Sequence, residues 1–166
     1  MAIKSYIITN KRTGKALTLT QNNKLVQSDL VYSNSQIWCS SKITGEIKLM
    51  NKESQKNLDL VYGQTENGTL LHTWEDCSAN SQIWQLKNSS KGFKKIANSL
   101  SNKVLDIVML SDENDALVQL WDDIGGDNQE WKVTQYPVPK KPNSIKTKKK
   151  NVIEKKEISK KRVSNS

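Results

Sequence analysis

Residues 34–38 read NSQIW, residues 80–84 read NSQIW again, and residues 127–131 read DNQEW. A glutamine two places before a tryptophan thus recurs at steps of 46 and then 47 residues. Residues 51–84 laid over 98–131 without a gap are identical at thirteen positions, among them Asn51/Asn98, Leu58/Leu105, Asp59/Asp106, Trp74/Trp121, Gln82/Gln129 and Trp84/Trp131. Self-similarity at a fixed period means one supersecondary unit used repeatedly. A first, weaker copy carries Asn10, Leu17, Gln36 and Trp38. It is five residues shorter between its leucine and its glutamine: 19 from Leu17 to Gln36, against 24 from Leu58 to Gln82 and from Leu105 to Gln129.

Inside each copy the local signals are those of strands. YIIT, ALTL, IKLM, LDLV, KVLDIV and ALVQLW are short and rich in β-branched or large apolar residues. Clusters such as KRTGK, TENGT, SDEND and GGDN bound them as turns. No helical period lasts beyond about two turns before Tyr136. Many short strands at even spacing predict a closed all-β architecture, in which three units close on one another and leave no open sheet edge.

The charge is unevenly placed. Of 26 Lys and Arg and 17 Asp and Glu, residues 137–166 hold eleven basic residues and only Glu154 and Glu157. That leaves residues 1–136 with 15 of each sign. All three prolines lie in 137–166 and all five tryptophans before it. The expectation is a folded domain over 1–136, with units at about 3–43, 44–90 and 91–136, and a Lys-rich disordered tail over 137–166 that is too poor in apolar residues to fold alone. Such a tail suits an anionic surface, nucleic acid bound without sequence preference, or a nuclear address in KTKKK (146–150). No apolar run spans a membrane and the first residues lack a signal-peptide pattern, so a cytoplasmic location, or secretion without a classical signal peptide, is expected. Cys39 and Cys77 are expected as free buried or half-buried thiols. With His72 the only imidazole, neither zinc spacing nor any cofactor motif arises.

Three units of this length, each closing on Gln-x-Trp and two with an LD step and a later LW or TW step, resemble the ricin B-type lectin family over residues 3–136. The resemblance implies a β-trefoil of three pseudo-repeats with four strands each, carbohydrate binding without catalysis, and a usual preference for galactose-type sugars. The tryptophans of the Gln-x-Trp steps would then be core residues.

The resemblance also implies the sugar residues. In the third unit Asp106 would accept from sugar hydroxyls and Trp121 would stack on the ring. Gln119 and Asn128 would bond other hydroxyls, Gln129 would steady the aspartate, and loop 109–116 would wall one side. In the second unit Asp59, His72, Trp74 and Gln82 stand at matching positions, with Ser81 in place of the asparagine. In the first unit Thr18 replaces the aspartate and Asp29 stands at the indole position, so that unit is expected to be silent. The bland alternatives are that Asp59 and Asp106 only cap turns and that Trp74 and Trp121 only pack on loops. Glycans or glycoproteins are the expected partners, with a toxin or enzyme subunit as a further one. A trefoil with vestigial sugar sites, acting through its tail as an interaction module, is the rival reading.

Overall fold

The computed structural model describes residues 2–140, and the tail expectation from residue 141 onward lies outside them. The first unit contributes β1 (Lys4–Asn10), β2 (Ala16–Leu19), β3 (Leu25–Ser28) and β4 (Trp38–Ser40). The second contributes β5 (Met50–Asn51), β6 (Asn57–Leu60), β7 (Leu71–Trp74) and β8 (Trp84–Asn88). The third contributes β9 (Lys94–Asn98), β10 (Val104–Ile107), β11 (Ala116–Trp121) and β12 (Trp131–Gln135). Three-residue 3-10 turns are the only helical pieces among the described residues. No helix there is long and apolar enough to cross a membrane.

Six strands close a ring. β1 pairs with β4, β4 with β5, β8 with β9, β9 with β12 and β12 with β1. The remaining junction is the bridge of Ile47, just ahead of β5, to Trp84 of β8. The hairpins β2–β3, β6–β7 and β10–β11 cap one end. This is a β-trefoil, and the ring leaves no sheet edge for a second chain to extend.

Its threefold logic explains the repeated tripeptide. Trp38, Trp84 and Trp131 open β4, β8 and β12 and are fully buried in one apolar core. Each indole N–H donates across to a cap hairpin, to the carbonyls of Leu17, Leu58 and Leu105 at 3.1, 3.0 and 3.2 Å. Burial leaves those polar groups no water, so each needs a partner inside the protein. The glutamines lie in 3-10 turns just ahead of the tryptophans and fold a loop over themselves. Gln36, Gln82 and Gln129 donate through Nε2 to the carbonyls of Asp29, Glu75 and Asp122. Their Oε1 atoms accept from the amides of Val31, Cys77 and Ile124.

A second set joins the units. Asn10, Asn51 and Asn98 are buried at the ends of β1, β5 and β9. Each donates through Nδ2 to a carbonyl of the preceding unit: Asn128, Ser35 and Ser81. Their recurrence is plain in the sequence, but nothing local announces that the bond crosses a unit boundary.

The seam between third and first units carries an ion cluster that the sequence reading missed. Glu130 fills the middle of its Gln-x-Trp step, where the other units have Ile37 and Ile83. Its carboxylate, 7% exposed, accepts from Lys11 Nζ at 2.8 Å, from the Ser90 amide at 3.0 Å and from the Ser89 hydroxyl. Lys11 also faces Asp127 at 3.4 Å and lies 5.3 Å from the Phe93 ring centre. The Lys11 ammonium and the two serine donors hold the Glu130 carboxyl down from 4.5 to about 2. A depressed carboxyl stabilises the fold fully above its ordinary value and loses that contribution as pH falls toward the folded value. Glu130→Gln should therefore melt below the wild type at neutral pH, and the gap in thermal midpoint should close between pH 4.5 and about 2. A gap constant across that window would rule the cluster out.

Cys39 is buried and Cys77 exposed, and both are free. The expectation of two sheltered thiols is thus corrected for Cys77, which sits in the loop folded over Gln82.

Candidate functional site

In the third unit the β10–β11 hairpin places Asp106 directly opposite Gln119, with Trp121 two residues further along the same outward face. Gln119 Nε2 donates to Asp106 Oδ1 at 3.0 Å. Asn128 Nδ2 and Gln129 Nε2 both donate to Asp106 Oδ2, at 3.1 and 2.9 Å. Asp106 is 4% exposed and its carboxylate is held by three amide donors, an arrangement that fixes its direction. Trp121, half-buried, stands at the rim.

Gln119 and Asn128, the amides expected at sugar hydroxyls, both donate to Asp106, and Asn128 donates to the Ile107 carbonyl as well. They position the aspartate, as Gln129 does.

Asn128 Oδ1 is buried and unpartnered, and it faces Gly126. A Cβ on Gly126 would lie 2.5 Å from that oxygen. Gly126 has an ordinary extended backbone, φ −76 and ψ 153, so it is space and not conformation that demands glycine. The corresponding residues in the other units are Ser33 and Ala79, each followed two positions later by a serine, Ser35 or Ser81. Gly126 and Asn128 thus go together. Gly126→Ala should push Asn128 off Asp106 and cost about 1–2 kcal/mol. Asn128→Ser alone should cost about as much, and the double variant no more than either alone in urea unfolding; additive losses would refute the pairing.

The second unit repeats the frame with fewer supports. Asp59 pairs with His72 across β6–β7, and His72 Nε2 donates to Asp59 Oδ2 at 3.1 Å. Ser81 makes no bond to Asp59, and Gln82 spends its amide on Asn57, Cys77 and Glu75. Asp59 Oδ1 is left buried without a donor. The structure therefore brings Asp59 to His72 but not to Gln82. Trp74 stacks on His72, ring centres 5.4 Å apart, and is 55% exposed.

The difference in indole exposure comes from neighbouring loops. Residues of the second unit cover the third unit's indole: Gly68 donates to the Leu120 carbonyl, Asn67 and Asp122 exchange two hydrogen bonds, and a Cβ on Gly68 would lie 3.9 Å from both Trp121 Cζ3 and Gln119 Oε1. The third unit's loop 109–116, expected to wall its own site, docks its far half on the first unit. There Asn114 exchanges two bonds with Asp29, and Asp115 donates to the Gln27 carbonyl. The first unit's shortened loop reaches β7 only through Asn23, which bonds the Thr73 backbone.

The first unit also needs a correction of register. Ala16 pairs with Ser28, as Asn57 pairs with Trp74 and Val104 with Trp121, so Ser28 and not Asp29 occupies the indole position. The deletion hid which side of the gap Asp29 falls on. Thr18 takes the aspartate position and bonds Gln36.

A family model for the ricin-type beta-trefoil lectin domain matches residues 4–131. The designed threefold-symmetric protein ThreeFoil is similar, at 26% identity and TM-score 0.74 over 78% of this chain and 96% of that one. An exo-beta-1,3-galactanase from Clostridium thermocellum has 28% identity and TM-score 0.74 over 80% of this chain but only 30% of its own. The ricin B-like lectin of Macrolepiota procera, in complex with lactose, shares the fold at 21% identity and TM-score 0.70, over 78% of this chain and 94% of that one. No curated protein matches the chain.

Proposed function

The chain belongs to the ricin-type β-trefoil lectin family, and from that premise we propose that it binds galactose-type sugars through its second and third units, without catalysis. The observation that carries this reading is the contrast among units. The first keeps Gln36 and Trp38 in the core and has neither aspartate nor indole on its outer face, whereas the other two keep both. Folding needs the first pair in all three units, and it does not ask for the second pair in two of them. The galactanase likeness supports the sugar class, and family resemblance supplies the preference.

In this reading Asp106 accepts bonds from adjacent sugar hydroxyls, Trp121 takes the apolar face of the ring, and Gln119, Asn128 and Gln129 hold the aspartate still. Asp59, His72 and Trp74 do the same in the second unit, with less support. Each shallow site would bind at roughly millimolar strength, about −4 kcal/mol. Two sites on one rigid body gain through effective concentration on a multivalent glycan. The basic tail would add attraction to an anionic partner, and a toxin or enzyme subunit would be the cargo.

The test is binding to immobilised galactose. The wild type should be retained, Trp121→Ala should weaken retention about tenfold, and Trp121→Ala with Trp74→Ala should abolish it. Equal retention of all three, or of none, would favour the vestigial trefoil.

A further inference from the structure

We propose that Tyr62 is the platform of an outer subsite in the second unit, stacking on the sugar linked to the one held by Asp59 and Trp74. Met109 is its counterpart in the third unit. The inference rests on the reading that these units bind sugars, and it names what they read beyond a single ring.

Tyr62 follows Asp59 by three residues, and Met109 follows Asp106 by three. Both sit in the left-handed region, at φ 55, ψ 20 and φ 56, ψ 27. That region disfavours every residue with a Cβ, and bulky side chains most. Both side chains are 91% exposed, more than any other large apolar residue among the described ones. They serve no core, and glycine would suit the turn better. At the matching turn the first unit has no such residue; its own left-handed tyrosine, Tyr32, lies just ahead of Gln36 and packs against Tyr136. After β2 its chain turns back at once, with Thr20 donating to the Lys24 carbonyl and Asn23 to the Thr20 carbonyl. At this turn, then, the strained, outward apolar residue goes with the aspartate and the indole.

The hairpin register gives the layout. Asn57 lies opposite Trp74, Asp59 opposite His72 and Leu60 opposite Leu71. Trp74 and Tyr62 therefore flank the Asp59–His72 rung on opposite sides. At about 3.3 Å per strand residue, the indole is about 7 Å along the hairpin from that rung and Tyr62 at most about 10 Å the other way. One pyranose cannot touch both rings while bonding Asp59, but a linked pair can. The short first-unit loop leaves this side of the hairpin open, and Trp74 is the more exposed of the two indoles for that reason. Aromatic rings suit sugar C–H faces, and the Met109 thioether is a softer surface of the same kind.

The experiment uses the full chain carrying Trp121→Ala, so that the second unit reports alone. Methyl β-galactoside, lactose and β-1,3-galactobiose are titrated by calorimetry before and after Tyr62→Ala. The expected result is a disaccharide advantage over the monosaccharide that falls about threefold to tenfold, for at least one disaccharide, with methyl β-galactoside unchanged. Tyr62→Phe should keep the advantage. Tyr62→Gly should lose it while raising the melting temperature, because the backbone strain is relieved. An unchanged advantage in Tyr62→Ala, or an equal loss for all three sugars, overturns the proposal alone. If the Trp121→Ala chain binds no sugar at all, the second unit is not a sugar site, and the underlying reading falls together with this one.

Discussion

Asp106→Ala should silence the third unit and also loosen it. The carboxylate gathers Gln119, Asn128 and Gln129, and the last two are buried. Removing the acceptor strands their amide donors, each worth about 1–3 kcal/mol if left unsatisfied. Water entering the space left by the side chain returns part of that, so a net loss of about 2–4 kcal/mol in urea unfolding is expected. Sugar affinity at this unit should fall at least about 100-fold, since charge-assisted bonds to hydroxyls are lost together with the geometry that aimed them. Asp106→Asn separates the two effects. It keeps the shape but turns one acceptor into a donor facing other donors, so stability should fall less than in the alanine variant while binding is lost as fully. Full sugar binding by Asp106→Asn would show that the aspartate is structural only.

The largest stability effect is expected at the core tryptophans. Trp84→Ala should cost about 3–5 kcal/mol, the usual range for emptying a fully packed aromatic position. That is a large share of the 5–15 kcal/mol typical of a whole domain. Trp84→Phe keeps most of the apolar area but deprives the buried Leu58 carbonyl of its indole donor, for about 1–2 kcal/mol. Trp38 and Trp131 occupy equivalent corners with equivalent bonds, so the three alanine variants should agree within about 1 kcal/mol. Trp121→Ala, at the half-buried rim, should weaken binding with little change in stability. Urea unfolding of the four alanine variants checks the stability statements. A cheap Trp84→Ala, below about 1 kcal/mol, would contradict the account of the repeated tripeptide.

Much of this was legible in the residues because repetition marks what the fold needs three times. Gln-x-Trp and the four strands recur in every unit, and the outer aspartates in two of the three at one fixed offset. What the sequence hid lies between units or outside the repeat. The partners of Asn10, Asn51 and Asn98 belong to the preceding unit, and the loop that covers Trp121 belongs to the second. Neither relation appears as an offset within one copy. The first unit's deletion blurred its register by one residue, which confused Asp29 with Ser28. Glu130 stands where the other units have isoleucine, and nothing near it in the chain points to Lys11, which sits against it. Gly126 looked like loop composition, yet its missing Cβ is what lets Asn128 reach Asp106.

The pairing of β12 with β1 runs over five residues, from Tyr6 opposite Gln135 to Asn10 opposite Trp131. It is as regular as the β8–β9 ladder that joins the second unit to the third. The joint between the third and first units is therefore as long as that between the second and third, whereas β4 and β5 join the first unit to the second over only two residues. A chain rewired to begin at the exposed stretch 41–46, with its old ends linked, would meet the same neighbours in rotated order. The ring is continuous, so the first unit, which carries neither the aspartate nor the indole, still cannot be dropped without opening the circle.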